Sequence, residues 1–279
     1  MIHIATIHHN SDRWIDIQLY FIAHNISSPH KIYAFLSGVA IKHKSKFDYC
    51  AEKPIENHAD RLNYLADVIV KSANNEDYIL FIDGDAFPIK IIEVALNRIN
   101  SSTPLVAIQR TENLYDVQPH PSFCLVKVKF WKEINGDWRS GYKWDTPFGK
   151  VTDVGGNLLN KLNSERIKWI PLNRTHSLGS HPLLFGIYGN LVYHHGAGFR
   201  NAHTRSDLLV KPKSIFARAR YLLIPKWLPI KIMYKLHWLF RLYPLSLKEN
   251  TEESNLIFHK IVEQKEKLFQ EVTMDNYDK

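Results

Sequence analysis

The sequence predicts an α/β fold with a mostly parallel sheet, and three observations carry that expectation. Apolar runs of strand length alternate with stretches of helical period from the first residue to about residue 108. One of those runs, YILFID at 78–83, is apolar or aromatic until its last residue, as in a strand buried on both faces. The chain has 279 residues, 45% of them hydrophobic, which is enough for a large core.

Taken in order, residues 1–6 are rich in isoleucine and read as a first strand, followed by a polar loop, HHNSD, at 8–12. Ser11 or Asp12 can cap a helix carrying Trp14, Ile17, Leu19, Tyr20 and Ile22. KIYAFL at 31–36 is a second strand. Residues 57–71 place Leu62, Leu65, Ala66, Ile69 and Val70 at helical spacing and lead to the strand at 78–83. A helix over 89–99 and strands over 104–108 and 119–128 follow. Beyond them Trp131, Trp138, Tyr142, Trp144 and Phe148 are interleaved with Gly136, Gly141 and Gly149 without a period, which reads as a binding loop. TDVGG at 152–156 opens a short helix over 157–162. Strands over 167–172 and 184–193 come next, the second running into HHGAGFR at 194–200.

Residues 211–248 are basic and aromatic and contain no acidic residue. Such a mixture suits an anionic membrane surface, a packed helical subdomain with a basic face, or nucleic acid; no RNA-binding motif accompanies it. Pro225, Pro229 and Pro244 divide the segment into short pieces. A helix capped at 250–253, with Ile257, Ile261, Leu268 and Val272 on one stripe, closes the chain. The expected organisation is a binding and catalytic domain over 1–205 and a basic, aromatic helical region over 206–279.

The net charge of +8 implies an acidic partner. Two cysteines, Cys50 and Cys124, are too few for a disulfide scaffold and point to a reducing compartment. The opening MIHIATIHHN lacks the basic region and apolar core of a secretory signal, and no run reaches the roughly 18 apolar residues of a membrane span. The expectation is a cytoplasmic protein, peripheral at most on the cytosolic face of a membrane.

The chemistry centres on Asp83 and Asp85, placed where the buried strand ends and separated by Gly84. Two carboxylates leaving an apolar strand together are costly unless something compensates their charge. Either they cap the turn before Ile89, or they hold a divalent cation at the carboxyl end of a parallel strand, where ligands of such sheets sit.

FIDGDAF, HADRLNYLAD and YHHGAGFR, in their order along residues 1–205, resemble the GT-A class of glycosyltransferases. That resemblance implies a Rossmann-like GT-A sheet and a sugar transferred from a nucleotide-sugar, a UDP-sugar first among the candidates, to a glycan or lipid-linked acceptor. It also implies Mn2+ or Mg2+ on Asp85 and on Asp83, which can also meet the ribose. Thr6 and Asn10 would border the nucleotide, and Arg61 and Asn63 would face it from the preceding helix. A histidine would complete the metal shell. His195 is the first choice and His194 the alternate, since neighbouring strand residues face opposite ways. Arg200 would clamp the diphosphate, and Asp153 would serve as general base in an inverting reaction, although Thr152 stands where the class commonly has Glu. Trp138 and Trp144 would stack on the acceptor sugar. Two rivals stand beside this reading. One is a sugar nucleotidyltransferase, whose Gly-rich basic signature HHNSDRW lacks; the other is a non-catalytic basic protein binding nucleic acid or membrane.

Overall fold

The computed structural model of the protein describes residues 1–146, 149–179, 184–196, 208, 211–212 and 214–274. The chain begins with β1 (Ile2–His9), α1 (Ile15–Asn25) and β2 (His30–Ser37). A 3-10 helix (Ile41–Lys46), β3 (Tyr49–Ala51), α2 (His58–Ser72) and β4 (Tyr78–Asp83) follow. Next come β5 (Ala86–Pro88), α3 (Glu93–Leu96), β6 (Leu105–Ile108), β7 (His120–Lys127) and α4 (Val128–Glu133). A small hairpin, β8 (Trp144–Thr146) and β9 (Gly149–Val151), precedes α5 (Gly156–Ser164), β10 (Ile170–Leu172), β11 (Arg174–Ser177), β12 (Leu184–Tyr188) and β13 (Val192–Gly196). The chain ends in α6 (Ile215–Leu222), α7 (Ile230–Leu239), α8 (Leu242–Gln264) and α9 (Glu266–Met274).

Seven strands form the main sheet in the order β10-β6-β7-β4-β1-β2-β3. β1 runs parallel to β2 and β4, β2 to β3, and β10 to β6, while β7 is antiparallel to both β4 and β6. The sheet is therefore mixed and mostly parallel, with helices on both faces. β4 sits at its centre, and its side chains alternate between two cores. Ile79 and Phe81 pack with Leu62, Leu65 and Ile69 of α2, and Leu80 and Ile82 pack with Ile22 of α1 and Ile92 beside α3. Burial on both faces is what the uninterrupted apolar run required.

α2 begins where the sequence places it. The Asn57 side chain accepts hydrogen bonds from the backbone N–H of Ala59 and Asp60, satisfying two donors that a helix start leaves open. The expected helix over 89–99 shrinks to the single turn of α3, because residues 86–88 leave the main sheet to pair with β13 in a second sheet, β11-β12-β13-β5. The expected strand over 184–193 is instead a hairpin, reversed at Gly189 and Asn190, both with positive φ.

At the C-terminus the structure departs from the expected cap. Residues 250–253 lie inside α8, which starts at Leu242 and takes Pro244 in its first turn, where a missing N–H leaves no bond unmade. A positive φ at Lys265 separates α8 from α9, so the expected stripe is carried by two helices. Ile257, Ile261 and Phe269 pack there against Trp14, Phe21, Phe87 and Tyr193. The expected boundary at 205/206 lies outside the described residues. Among the described residues no helix is long and apolar enough to cross a membrane.

Candidate active site

Asp83 is the last residue of β4, at the carboxyl end of the central parallel strands, and Asp85 follows where the chain crosses from the main sheet into β5. Gln18, fully buried in α1, holds this crossing. Its Nε2 donates to the carbonyl oxygens of Asp83 at 2.7 Å and Ala86 at 2.8 Å, and its Oε1 accepts from Thr6 Oγ1 at 3.0 Å and His8 Nε2 at 3.2 Å. The crossing passes so close to β1 that a Cβ on Gly84 would lie 2.4 Å from the Ile7 carbonyl oxygen and 2.7 Å from His8 Nδ1. Only glycine fits there.

The two carboxylates converge with His194. One ligand atom from each of Asp83, Asp85 and His194 lies within 4.8 Å of the others. His194 Nε2 stands 3.6 Å from Asp85 Oδ1 and 3.9 Å from Asp83 Oδ2. A second histidine, His58 at the start of α2, faces Asp83 Oδ1 at 3.1 Å. Burial opposes ionisation of Asp83, yet the neighbouring imidazoles, His58 foremost, outweigh it and hold the carboxyl well below its usual range. Burial also opposes a proton on His58, and Asp83 overcomes it and raises that imidazole. His120, whose ring centroid is 6.1 Å from that of His194, is kept neutral by burial and by Arg110. Two carboxylates and one imidazole in this arrangement form a donor set that can hold a divalent cation such as Mn2+ or Mg2+.

His195, the first choice from the sequence, points the other way. Its ring is fully buried between Trp14 and Phe185, with the Tyr193 and Ser254 hydroxyls each 2.7 Å from a ring nitrogen. The antiparallel register of β13 on β5, which pairs His194 with Ala86, decides which histidine faces the carboxylates. Burial lowers the His195 pKa well below the ordinary imidazole value, and the residue serves as a packing link to α8.

Asn63, Trp138, Trp144 and Thr6 are engaged within the fold. Asn63 faces the loop after α4, donating to Asp137 Oδ1 at 2.8 Å and accepting from the Trp138 N–H at 3.0 Å. Trp138 is completely buried, edge-on to Phe81 and beside Trp131, and offers no face to a sugar. Trp144 is 8% exposed and donates its indole N–H to the Leu114 carbonyl at 2.9 Å. Thr6 is spent on Gln18. Asn10 stays exposed at the end of β1, with φ at 53°. Arg61 is 5% exposed; its Nε donates to the Ile55 carbonyl at 2.7 Å, and its charge reaches His9 and His58. Arg200 lies outside the described residues.

Asp153 sits three residues before α5, whose N-cap is Gly155, so the carboxylate does not cap that helix. Its Oδ2 accepts from Arg110 Nη2 at 2.8 Å. Arg110 also stands 3.6 Å from the buried Asp116, whose carboxyl is pushed up to about 6 by burial against the pull of that arginine. Glu112 accepts from the Tyr188 hydroxyl at 2.6 Å, and the Tyr188 ring centroid is 6.4 Å from that of His194. The polar group around Arg110 thus borders the metal-ligand group through Tyr188 and His120. Gln18, His58, His120 and Arg110 were not singled out from the sequence. HADRLNYLAD does contain His58 directly after the capping Asn57, a position that faces the strand ends and was the legible signal among them.

No protein-family profile and no curated protein sequence matches the chain. Among solved structures it is similar to the catalytic domain of Drosophila beta1,4galactosyltransferase 7, with 14% identity over 83% of this chain and 84% of that one and a TM-score of 0.41. It is similar to the mannosyltransferase PcManGT from Pyrobaculum calidifontis, solved with GDP-Man and Mn2+. Here the identity is 11% over 94% of this chain and 74% of that one, with a TM-score of 0.43. It also matches the glycosyltransferase GlyE of Streptococcus pneumoniae TIGR4 at 14% identity over 48% of its length with a TM-score of 0.35, and it spans only about a third of GlyE, 35%. All three are glycosyltransferases.

Proposed function

We propose that the protein is a metal-dependent glycosyltransferase that moves a sugar from a nucleotide-sugar, a UDP-sugar in the first instance, to a glycan or lipid-linked acceptor in cell-surface polysaccharide or lipopolysaccharide synthesis. The observation that carries this reading is the convergence of Asp83, Asp85 and His194 at the carboxyl end of the central parallel strands. Ligands of α/β sheets bind at that end, and a bound cation there would offset the charge that gathers on a departing diphosphate.

In this reading Asp83, Asp85 and His194 hold the cation, and His58 fixes the Asp83 carboxylate from the opposite side. Gln18 and Gly84 keep the turn in shape. Arg61, in the first turn of α2 and beside Ser37 at the end of β2, is the candidate for the nucleotide, and Arg200 is kept as the candidate diphosphate clamp. Asp153 takes the proton of the acceptor hydroxyl as that oxygen attacks, and Arg110 orients its carboxylate.

Screening nucleotide-sugars for hydrolysis and transfer, with Mn2+ and with EDTA, tests the reading. A positive donor whose turnover stops in EDTA and in Asp85→Ala, with the fold unchanged by circular dichroism, is the expected result. Full activity of Asp85→Ala would remove the metal from the site, and no turnover of any donor would remove the transferase.

A further inference from the structure

The chain's net positive charge comes from one segment. Residues 211–248 hold nine of the 36 Lys and Arg and none of the 28 Asp and Glu, so the rest of the chain carries 27 basic residues against 28 acidic ones. This segment folds as α6, α7 and the first turns of α8 around a small core built from its Ala217, Tyr221, Ile224, Met233 and Leu242 together with Leu208. On its outside Ile215, Phe216, Leu222, Leu223, Trp227 and Leu239 are 69–82% exposed. Arg218, Arg220, Lys226, Lys231 and Lys235 are exposed among them.

Six large apolar side chains left in water on and between two short helices, with a rim of one charge sign, mark an interaction surface. We propose that this face docks the protein on an anionic lipid surface. The aliphatic and aromatic side chains enter the headgroup–acyl boundary, and the lysines and arginines meet the anionic headgroups. A second copy of the chain fits poorly, since nine positive charges would face nine. Nucleic acid would satisfy the charge, but four of the six exposed apolar side chains are aliphatic and cannot stack on bases.

The docking face is tied to the site through α8. Leu242 belongs to the small core, and Ser254, twelve residues on, holds His195, the neighbour of His194. At about 1.5 Å per residue, that helix keeps the two points roughly 18 Å apart. A lipid-linked acceptor would then lie on the surface that the protein itself occupies; that consequence rests on the proposed function, and the docking does not.

The test is co-sedimentation of the full chain with phosphatidylcholine–phosphatidylglycerol vesicles and with phosphatidylcholine alone. Salt-sensitive binding to the mixed vesicles is expected, with none to phosphatidylcholine. The Phe216→Ser/Trp227→Ser double variant should lower partitioning at least about tenfold, and Arg218→Glu/Lys231→Glu should abolish it. All four positions are exposed, so both variants should keep the wild-type circular dichroism. Failure of the wild type to bind mixed vesicles, or undiminished binding by the apolar variant, overturns the proposal. DNA binding without vesicle binding would assign the face to nucleic acid, and a dimer dissolved by the apolar variant would assign it to a second copy. None of these readouts needs a donor or a metal, so a negative donor screen leaves the vesicle result standing.

Discussion

Gln18 and Asp83 are joined by a buried hydrogen bond of 2.7 Å, from the glutamine Nε2 to the aspartate carbonyl oxygen, and the same Nε2 reaches Ala86 at 2.8 Å. A side chain on α1 therefore sets the backbone of the turn whose carboxylates face His194. Gln18→Leu keeps much of the volume and removes every polar contact, leaving the Asp83 and Ala86 carbonyls and the Thr6 hydroxyl buried without their partner. The loss should be about 3 kcal/mol or more of stability, since each stranded polar group costs about 1–3 kcal/mol. Mn2+ affinity should fall about 10–100-fold, the usual effect of removing a group that orients metal ligands. Thermal denaturation and calorimetric Mn2+ titration check the two halves separately. Wild-type Mn2+ affinity in Gln18→Leu would show that the turn keeps its shape without the clamp.

His194 and His195 are adjacent in the chain and opposite in role, and that makes them a paired control. His194→Ala removes a nitrogen facing both carboxylates, and Mn2+ binding should weaken at least about tenfold with little change in melting temperature. His195→Ala strands the Tyr193 and Ser254 hydroxyls and opens space beside Trp14. It should cost about 2–4 kcal/mol in stability while leaving Mn2+ affinity of the folded protein within about threefold. The reverse pattern would return His195 to the metal.

What could be read in advance was local. The β4 run announced a strand buried on both faces, and the apolar spacing over 57–71 announced α2, because both signals lie within the segment they specify. The choice between His194 and His195 was not local. Alternation says that one of the two faces inward, but the register of β13 on β5, set 108 residues away at Ala86, says which. Trp138 was misread for a related reason. An aromatic among glycines reads as a binding loop until Trp131 and Phe81 are seen around it. Gln18 gave no sign at all, since its partners come from β1, β4 and β5, which only the fold brings together.

Asp137 is the hub that fixes the loop carrying Trp138. It accepts from Asn63 at 2.8 Å, from Asn157 at 3.0 Å and from the Arg139 backbone and guanidinium, tying α2, the loop and α5 together. Burial pushes its carboxyl up, and the bonds from Arg139, Asn157 and Asn63 outweigh it, so the group sits well below the ordinary carboxylate range. The sign follows from the depressed folded value. The stabilisation is complete above the unfolded carboxyl value of about 3.9 and is lost as pH falls below it. Asp137→Asn should therefore be less stable than wild type near neutral pH, by about 2–3 kcal/mol for charge-assisted bonds of this number. The difference should shrink as the pH is lowered below about 4. Urea denaturation of both proteins across that range measures it, and a pH-independent difference would place the effect in packing instead.

Asp153 and Arg110 decide whether the polar group beside His194 takes part in chemistry. Burial disfavours the Arg110 charge, and Asp153, Asp116, Tyr188 and Glu112 more than restore it, so the guanidinium stays charged with Asp153 as its nearest partner. Asp153→Asn keeps the shape of the side chain and can still accept one hydrogen bond, and Asp116 still neutralises the arginine. The fold should therefore survive, as the carboxylate side chain is 41% exposed. The transfer rate should nonetheless fall about 10²–10⁴-fold, the range for loss of a general base, with the Mn2+ affinity and the KM for the donor unchanged. A merely structural role would move stability and leave the rate of the folded enzyme alone. A wild-type kcat in Asp153→Asn would therefore reduce this residue to the counter-ion of Arg110 and direct the search for the base to Glu112 and Asp116.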